Sequence, residues 1–231
     1  MKKTFIQILA VAICLVCISS SQAAVNMGIW TFPTTSGPLT PNAGSTHTGT
    51  TVTMALTGGS TYTANGTTLN APTGGTATKA LTLTYTSAAH TPTITISLTG
   101  GLAGFSLYTL TYAAANTGTS TARTMTWTYS LNGGAFTAFT TAQTDTIAAS
   151  TTFAAQSDTF TGVNFATATS LVFRGTLTGA TSTGRGARFD NITLTAAVPE
   201  PTNYALAGFG LIFIVGTAGR FYTHRCSRAA R

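Results

Sequence analysis

Between Leu81 and Leu131 the chain repeatedly alternates apolar and polar residues with a period of two. Leu81, Leu83 and Tyr85, then Ile94, Ile96 and Leu98, then Met125, Trp127, Tyr129 and Leu131 are each separated by Thr or Ser. Successive side chains of a strand point to opposite faces, so this pattern buries one face of a sheet and wets the other; a helix would need apolar positions three and four apart. Shorter runs of the same kind cover Val52 to Leu56, Leu107 to Tyr112 and Leu171 to Leu177, and no helical stripe occurs between residues 25 and 197. Threonine fills more than a fifth of all positions. Its branched Cβ favours extended backbone, and its hydroxyl solubilises an outward face without charge.

Glycine pairs divide these segments at Gly58-Gly59, Gly74-Gly75 and Gly100-Gly101. Asn132-Gly133 is the most specific turn signal, because both residues accept the positive φ that a two-residue hairpin requires. The strand ending at Leu131 is therefore expected to pair antiparallel with Ala135 to Thr140. Phe189 and then Ile192 and Leu194 change the parity of the alternation, which predicts a bulge at Asp190-Asn191. Nine or ten short antiparallel strands in one chain predict an all-β, two-sheet sandwich of jelly-roll type.

Only 6% of the residues are charged, against roughly 25% in an ordinary soluble domain. Between residues 25 and 197, Lys79, Arg123, Arg174, Arg185 and Arg188 face Asp145, Asp158 and Asp190, a net charge of +2. The sequence pI of about 9.7 thus belongs mainly to the two ends. A nucleic-acid surface would concentrate Lys and Arg on the folded part with aromatics interleaved, and that pattern is absent. Glycoside hydrolysis needs two carboxylates flanking the scissile bond. Asp145 and Asp158 sit in Thr-, Ala- and Ser-rich surroundings that read as loops, where Asp serves as a turn or cap residue. His47 and His90 stand beside Thr in polar contexts without a Gly-x-Ser-x-Gly elbow, and read as surface histidines. No catalytic residue is assigned, and the expectation is a protein that is not an enzyme.

The ends carry addresses. Lys2 and Lys3, an apolar run from Phe5 to Ile18, and small residues at Ser21-Gln22-Ala23-Ala24 read as a signal peptide over residues 1–24. Cleavage after Ala23 satisfies the small-x-small rule, whereas cleavage after Ala24 puts Gln22 in the outer small position. Lipidation of Cys17 is an alternative, although Val16 stands where a small residue should precede it. Cys14 and Cys17 belong to this leader and Cys226 to the tail, so residues 25–197, read as the exported sandwich domain, hold no disulfide, cysteine nucleophile or Cys-type zinc site. After Val198-Pro199-Glu200-Pro201, residues 202–219 are uncharged and rich in Leu, Ile and Phe. As a helix they would extend roughly 27 Å, enough to cross a bilayer core. Arg220, Arg225, Arg228 and Arg231 follow, and predict a C-terminus that is cytoplasmic before processing.

Val198-Pro199-Glu200-Pro201, one hydrophobic span and a short arginine-rich terminus resemble the PEP-CTERM sorting signal of exopolysaccharide-producing Gram-negative bacteria. The resemblance covers residues 198–231, with Phe221 to His224 interrupting the arginines. It implies recognition by an exosortase-type membrane protease, cleavage near Pro199-Glu200-Pro201, a transient membrane anchor, and delivery to the cell envelope, surface or extracellular matrix. The segment Gly186 to Leu194, with Asp190-Asn191-Ile192, is similar to the closing strand of exported bacterial jelly rolls, including some that precede PEP-CTERM signals and some carbohydrate-binding modules; Tyr129 to Gly134 fits the same pattern.

Two functions follow as expectations. One is a non-catalytic surface or matrix protein associated with exopolysaccharide and biofilm. The other is a protein like a carbohydrate-binding module that binds extracellular polysaccharide; a solvent-exposed aromatic platform would favour it. No cofactor is assigned. Asp190 and Asn191 offer oxygens to Ca²⁺, against the alternative that Asp190 satisfies backbone donors at the bulge. Trp127 belongs to the core by its place in the alternation, and Trp30 is left open between core and ligand.

Overall fold

The computed structural model describes residues 22–199 apart from 33–38, 40, 43–46, 64–65, 72–78, 88–89, 103, 106, 166 and 180–182. Glu200, Pro201, the span 202–219, the four arginines of the tail and the signal peptide before Gln22 lie outside the described residues. Ala24–Val198 forms one compact unit.

The described residues form eleven strands: β1 (Gln22–Trp30), β2 (Thr51–Thr57), β3 (Gly59–Thr63), β4 (Ala80–Thr84), β5 (Thr93–Thr99), β6 (Leu107–Asn116), β7 (Arg123–Leu131), β8 (Thr137–Ile147), β9 (Ala154–Phe160), β10 (Ser170–Thr178) and β11 (Gly186–Pro199). There is no helix among the described residues. One sheet runs β3-β4-β11-β6-β9, with β1 also paired to β11, and the other runs β2-β5-β10-β7-β8. β7 pairs with β8, β6 with β9, β5 with β10 and β4 with β11, all antiparallel. The last eight strands are thus one nested hairpin, rolled so that successive pairs fall in alternate sheets, which is jelly-roll connectivity. Trp127↔Gln143, Tyr108↔Phe160, Ser170↔Thr99 and Gly186↔Thr84 all have midpoints within about one residue of Gly134. The Asn132-Gly133 turn lies at the tip of the whole roll.

That turn has φ +52° at Asn132 and +74° at Gly133, and the Gly134 N–H donates to Leu131 O at 2.9 Å. The Asn132 side chain accepts the backbone N–H groups of Thr169 and Ser170, tying the tip to the start of β10. The pairing beyond it differs from expectation. Thr137 and Ala138 continue the hairpin, but Trp127 next meets Gln143, so Phe139 to Ala142 bulge out of register. The bulge lets Phe139 enter the core, where its ring stacks on Phe160 at 4.7 Å and Phe160 stacks on Phe173 at 4.5 Å. This stack joins the two sheets, since Phe160 lies in one and Phe139 and Phe173 in the other.

The inward faces follow the alternation. β5 buries Ile94, Ile96 and Leu98, and β10 buries Leu171, Phe173, Gly175 and Leu177. Trp127 and Trp30 are both buried. Gly175 is the direct cross-strand partner of Trp127, and a Cβ there would come within 2.8 Å of the indole and of the Met125 sulfur. The missing side chain is the space the indole fills. Tyr85 donates its hydroxyl across the core to Leu177 O at 2.6 Å. A bulge occurs in β11 between Asp190 and Thr193, and it turns Ile192 inward after Phe189.

Candidate functional site

The outer face of the six-stranded sheet carries an open groove of about 730 Å³. Its floor comes from β11 and β4, where Arg188 pairs with Thr82 on one side and with Ala115 of β6 on the other. The small partner in β6 leaves room above the sheet for a long side chain and for the loop that precedes β9. That loop supplies one wall, Thr151 to Phe153, and Gly66-Thr67 supplies the other.

Arg188 is 8% exposed. One guanidinium nitrogen donates to Thr151 O at 2.5 Å, while Nε has no acceptor. The guanidinium carbon lies 5.1 Å from the Phe153 ring centroid, within cation–π range. Burial makes the charged state less favourable and lowers the Arg188 pKa from its ordinary value. Thr117 closes one end of the groove. Beside it, the Arg185 guanidinium covers Gly118, with one nitrogen 2.5 Å from where a Cβ would stand.

Asp190 and Asn191 hold the opposite wall. The Asp190 carboxylate accepts the backbone N–H groups of Thr67 and Asn191, each at 2.8 Å, and the Asn191 amide donates to Thr67 O at 2.7 Å and Leu69 O at 2.9 Å. Burial raises the Asp190 pKa, and the two backbone hydrogen bonds oppose that rise. Gly66 is required here, because a Cβ would sit 2.4 Å from Lys79 O and 2.8 Å from Asp190 Oδ2. Asn191 stands at φ +49°, a left-handed conformation that Asn tolerates better than most residues. Asp190 thus satisfies backbone donors, one at the bulge itself and one at Thr67. No group of three or more His, Cys, Asp or Glu that could hold a metal occurs among the described residues.

Asp145 and Asp158 require a correction. They lie on strands β8 and β9, not in loops, and their side chains meet at the seam between the edges of the two sheets. The Tyr112 hydroxyl donates to Asp145 Oδ2. Asp158 is buried, and its Oδ2 has no donor. Two carboxylates in contact cannot both ionise cheaply, which favours the protonated form of Asp158. Burial first, and the facing Asp145 second, push the Asp158 carboxyl up to about 8. Glycoside hydrolysis needs its two carboxyl groups to flank the scissile bond, whereas neither Asp145 nor Asp158 is among the residues lining the groove.

The remaining candidates are dispersed. Ala23 and Ala24 lie near the start of β1, and Val198 and Pro199 at the end of β11, with Val198 packed against the core. His47 packs its ring edge-on to Phe105 and makes a long contact with the Thr50 hydroxyl, 3.4 Å. The exposed large hydrophobic residues of the described structure are Leu69 and Phe136. Phe136 is covered on one face by the Arg174 guanidinium, 3.7 Å from its centroid. No pair of exposed aromatics forms a platform among the described residues. Sequence reasoning did not single out Arg188 or Phe153 as a site, since one lies in an alternating strand and the other in a Thr-rich connection.

No protein family and no curated protein matches the sequence. Solved structures match at low identity. The CBM22-1 xylan-binding domain of Paenibacillus barcinonensis Xyn10C is 11% identical, with 78% of this chain and 99% of that one covered and a TM-score of 0.45. TmCBM61 in complex with β-1,4-galactotriose is 8% identical, with 61% and 86% covered and a TM-score of 0.37. The enzymatically active domain of bacteriophage CBA120 tailspike protein 4 is 14% identical over 63% of this chain but only 19% of that one, with a TM-score of 0.42. The chain therefore spans about a fifth of the tailspike domain, and no ligand or activity transfers from these neighbours.

Proposed function

We propose that this protein is an exported, non-catalytic surface or matrix protein whose sandwich binds extracellular polysaccharide through the Arg188 groove. The observation that carries the reading is the arrangement of one aromatic residue, one guanidinium and five threonines around an open groove. Sugars present apolar C–H faces and hydroxyls together, and a groove with an aromatic surface and a few fixed polar groups engages both. Export and sorting rest on the PEP-CTERM resemblance of residues 198–231, which supports an exosortase-type protease as a processing partner.

Phe153→Ala tests the groove. Phe153 is only half-buried, so melting should shift little while retardation of the protein in gels containing the host's exopolysaccharide falls at least tenfold. Retardation equal to that of the unaltered protein would overturn the assignment.

A further inference from the structure

The Arg188 groove contains a buried cation, and the sequence holds few acids to neutralise it. Residues 25–197 include only Asp145, Asp158 and Asp190. Asp145 accepts from Tyr112 and meets Asp158 at the seam. Asp190 is closer, two residues along β11, but both its oxygens accept backbone N–H groups of Thr67 and Asn191. Arg188 itself donates to one backbone carbonyl, and no acid is among the described residues lining its groove. Exposed Arg185 adds a second guanidinium over Gly118, next to groove-lining Thr117.

A largely desolvated guanidinium is costly without a counter-charge. A neutral glycan entering the groove would displace water from Arg188 and return only hydroxyl contacts. A carboxylate returns charge-assisted hydrogen bonds, and its planar geometry suits a guanidinium. We infer that the groove between Phe153 and Gly66 recognises a saccharide unit bearing a carboxylate, so that the ligand is an acidic polysaccharide of the uronate type. This rests on the polysaccharide-binding reading and narrows it. Phe153 takes the apolar face of the sugar, Arg188 takes its carboxylate, and Arg185 draws the polyanion to the mouth of the groove.

The test compares polygalacturonate, its fully methyl-esterified form and a neutral glucan, using the full-length chain in mild detergent. Polygalacturonate is expected to bind at least tenfold more tightly than the ester, and its binding should weaken as salt rises, because the attraction of exposed Arg185 for the polyanion is screened. Arg188→Gln should remove that preference. Arg185→Gln alters an exposed side chain, so the fold is retained, and it should weaken polygalacturonate binding several-fold while leaving the ester unchanged. Equal affinity for polygalacturonate and its ester, or binding to the glucan alone, would overturn the acidic-ligand inference and leave polysaccharide binding standing. Failure to bind any of the polymers would overturn both, and unchanged polygalacturonate affinity in Arg185→Gln and Arg188→Gln would overturn the groove's role in charge recognition.

Discussion

Asp158 puts a carboxyl where water does not reach, with a second acid, Asp145, facing it. Its pKa rises from 3.8 to about 8 in the folded protein. The native state therefore holds a proton that the unfolded chain releases between those values, and the contribution of Asp158 to stability is fully present below about pH 4, falls as pH rises to about 8, and then levels. The melting temperature is expected to decline across that window. Asp158→Asn keeps the shape and cannot ionise, so its decline should be shallower, the remainder in the same direction coming from Asp190, whose pKa burial also raises. Thermal melts from pH 4 to 9 measure this, and a variant with the slope of the unaltered protein would remove Asp158 as the cause. Sequence reasoning missed the pair because identity and neighbours cannot report that two residues thirteen positions apart meet across a seam. Trp127 was legible for the opposite reason: its environment follows from the parity of its own strand.

At the scale of the element, β11 does the most. It pairs with β1, β4 and β6, buries Ala187 and Phe189 inward, and turns Arg188 and Asp190 to the outer face. The bulge at Asp190-Asn191 was legible because a broken parity has few other structural meanings. Its consequence was not, since only the folded chain brings Thr67, more than a hundred residues earlier, to the Asp190 carboxylate. Asp190→Ala should leave the Thr67 and Asn191 N–H groups without that acceptor, costing on the order of 1–3 kcal/mol for each group that remains buried, and it should weaken glycan binding as the groove wall loosens. Denaturant midpoints and binding read together check this, and an unchanged midpoint would remove the bracket role. β8 and β9 were read poorly for a related reason. As edge strands they leave much of their Thr and Ala exposed, so little alternation marks them.

Within Ala24–Val198, strands β4 to β11 form a nested hairpin closed around one aromatic core, with strand pairings that join residues as distant as Thr84 and Gly186. Such non-local pairing forms slowly, on the order of milliseconds to seconds. Nothing covalent assists it, because residues 25–197 contain no cysteine. If both ends are removed during export, the mature protein lacks Cys14, Cys17 and Cys226 altogether. Intact mass of the extracellular species should then correspond to a chain starting after Ala23 or Ala24 and ending near Pro199-Glu200-Pro201, with no increment after reduction and alkylation. Material that retains the arginine tail, or gains alkyl groups, would contradict the sorting reading.

The sequence by itself determined the all-β class, the alternating core positions, the Asn132-Gly133 tip and the β11 bulge. Each is set by local rules: side-chain parity along a strand, or the φ that Asn and Gly accept. Tertiary structure alone decided which strands share a sheet, the departure of Phe139 to Ala142 from register, the meeting of Asp145 with Asp158, and the assembly of Arg188, Phe153 and Gly66-Thr67 into one groove. Those depend on contacts between distant segments, where the energy lies in packing and desolvation that no single stretch of residues encodes.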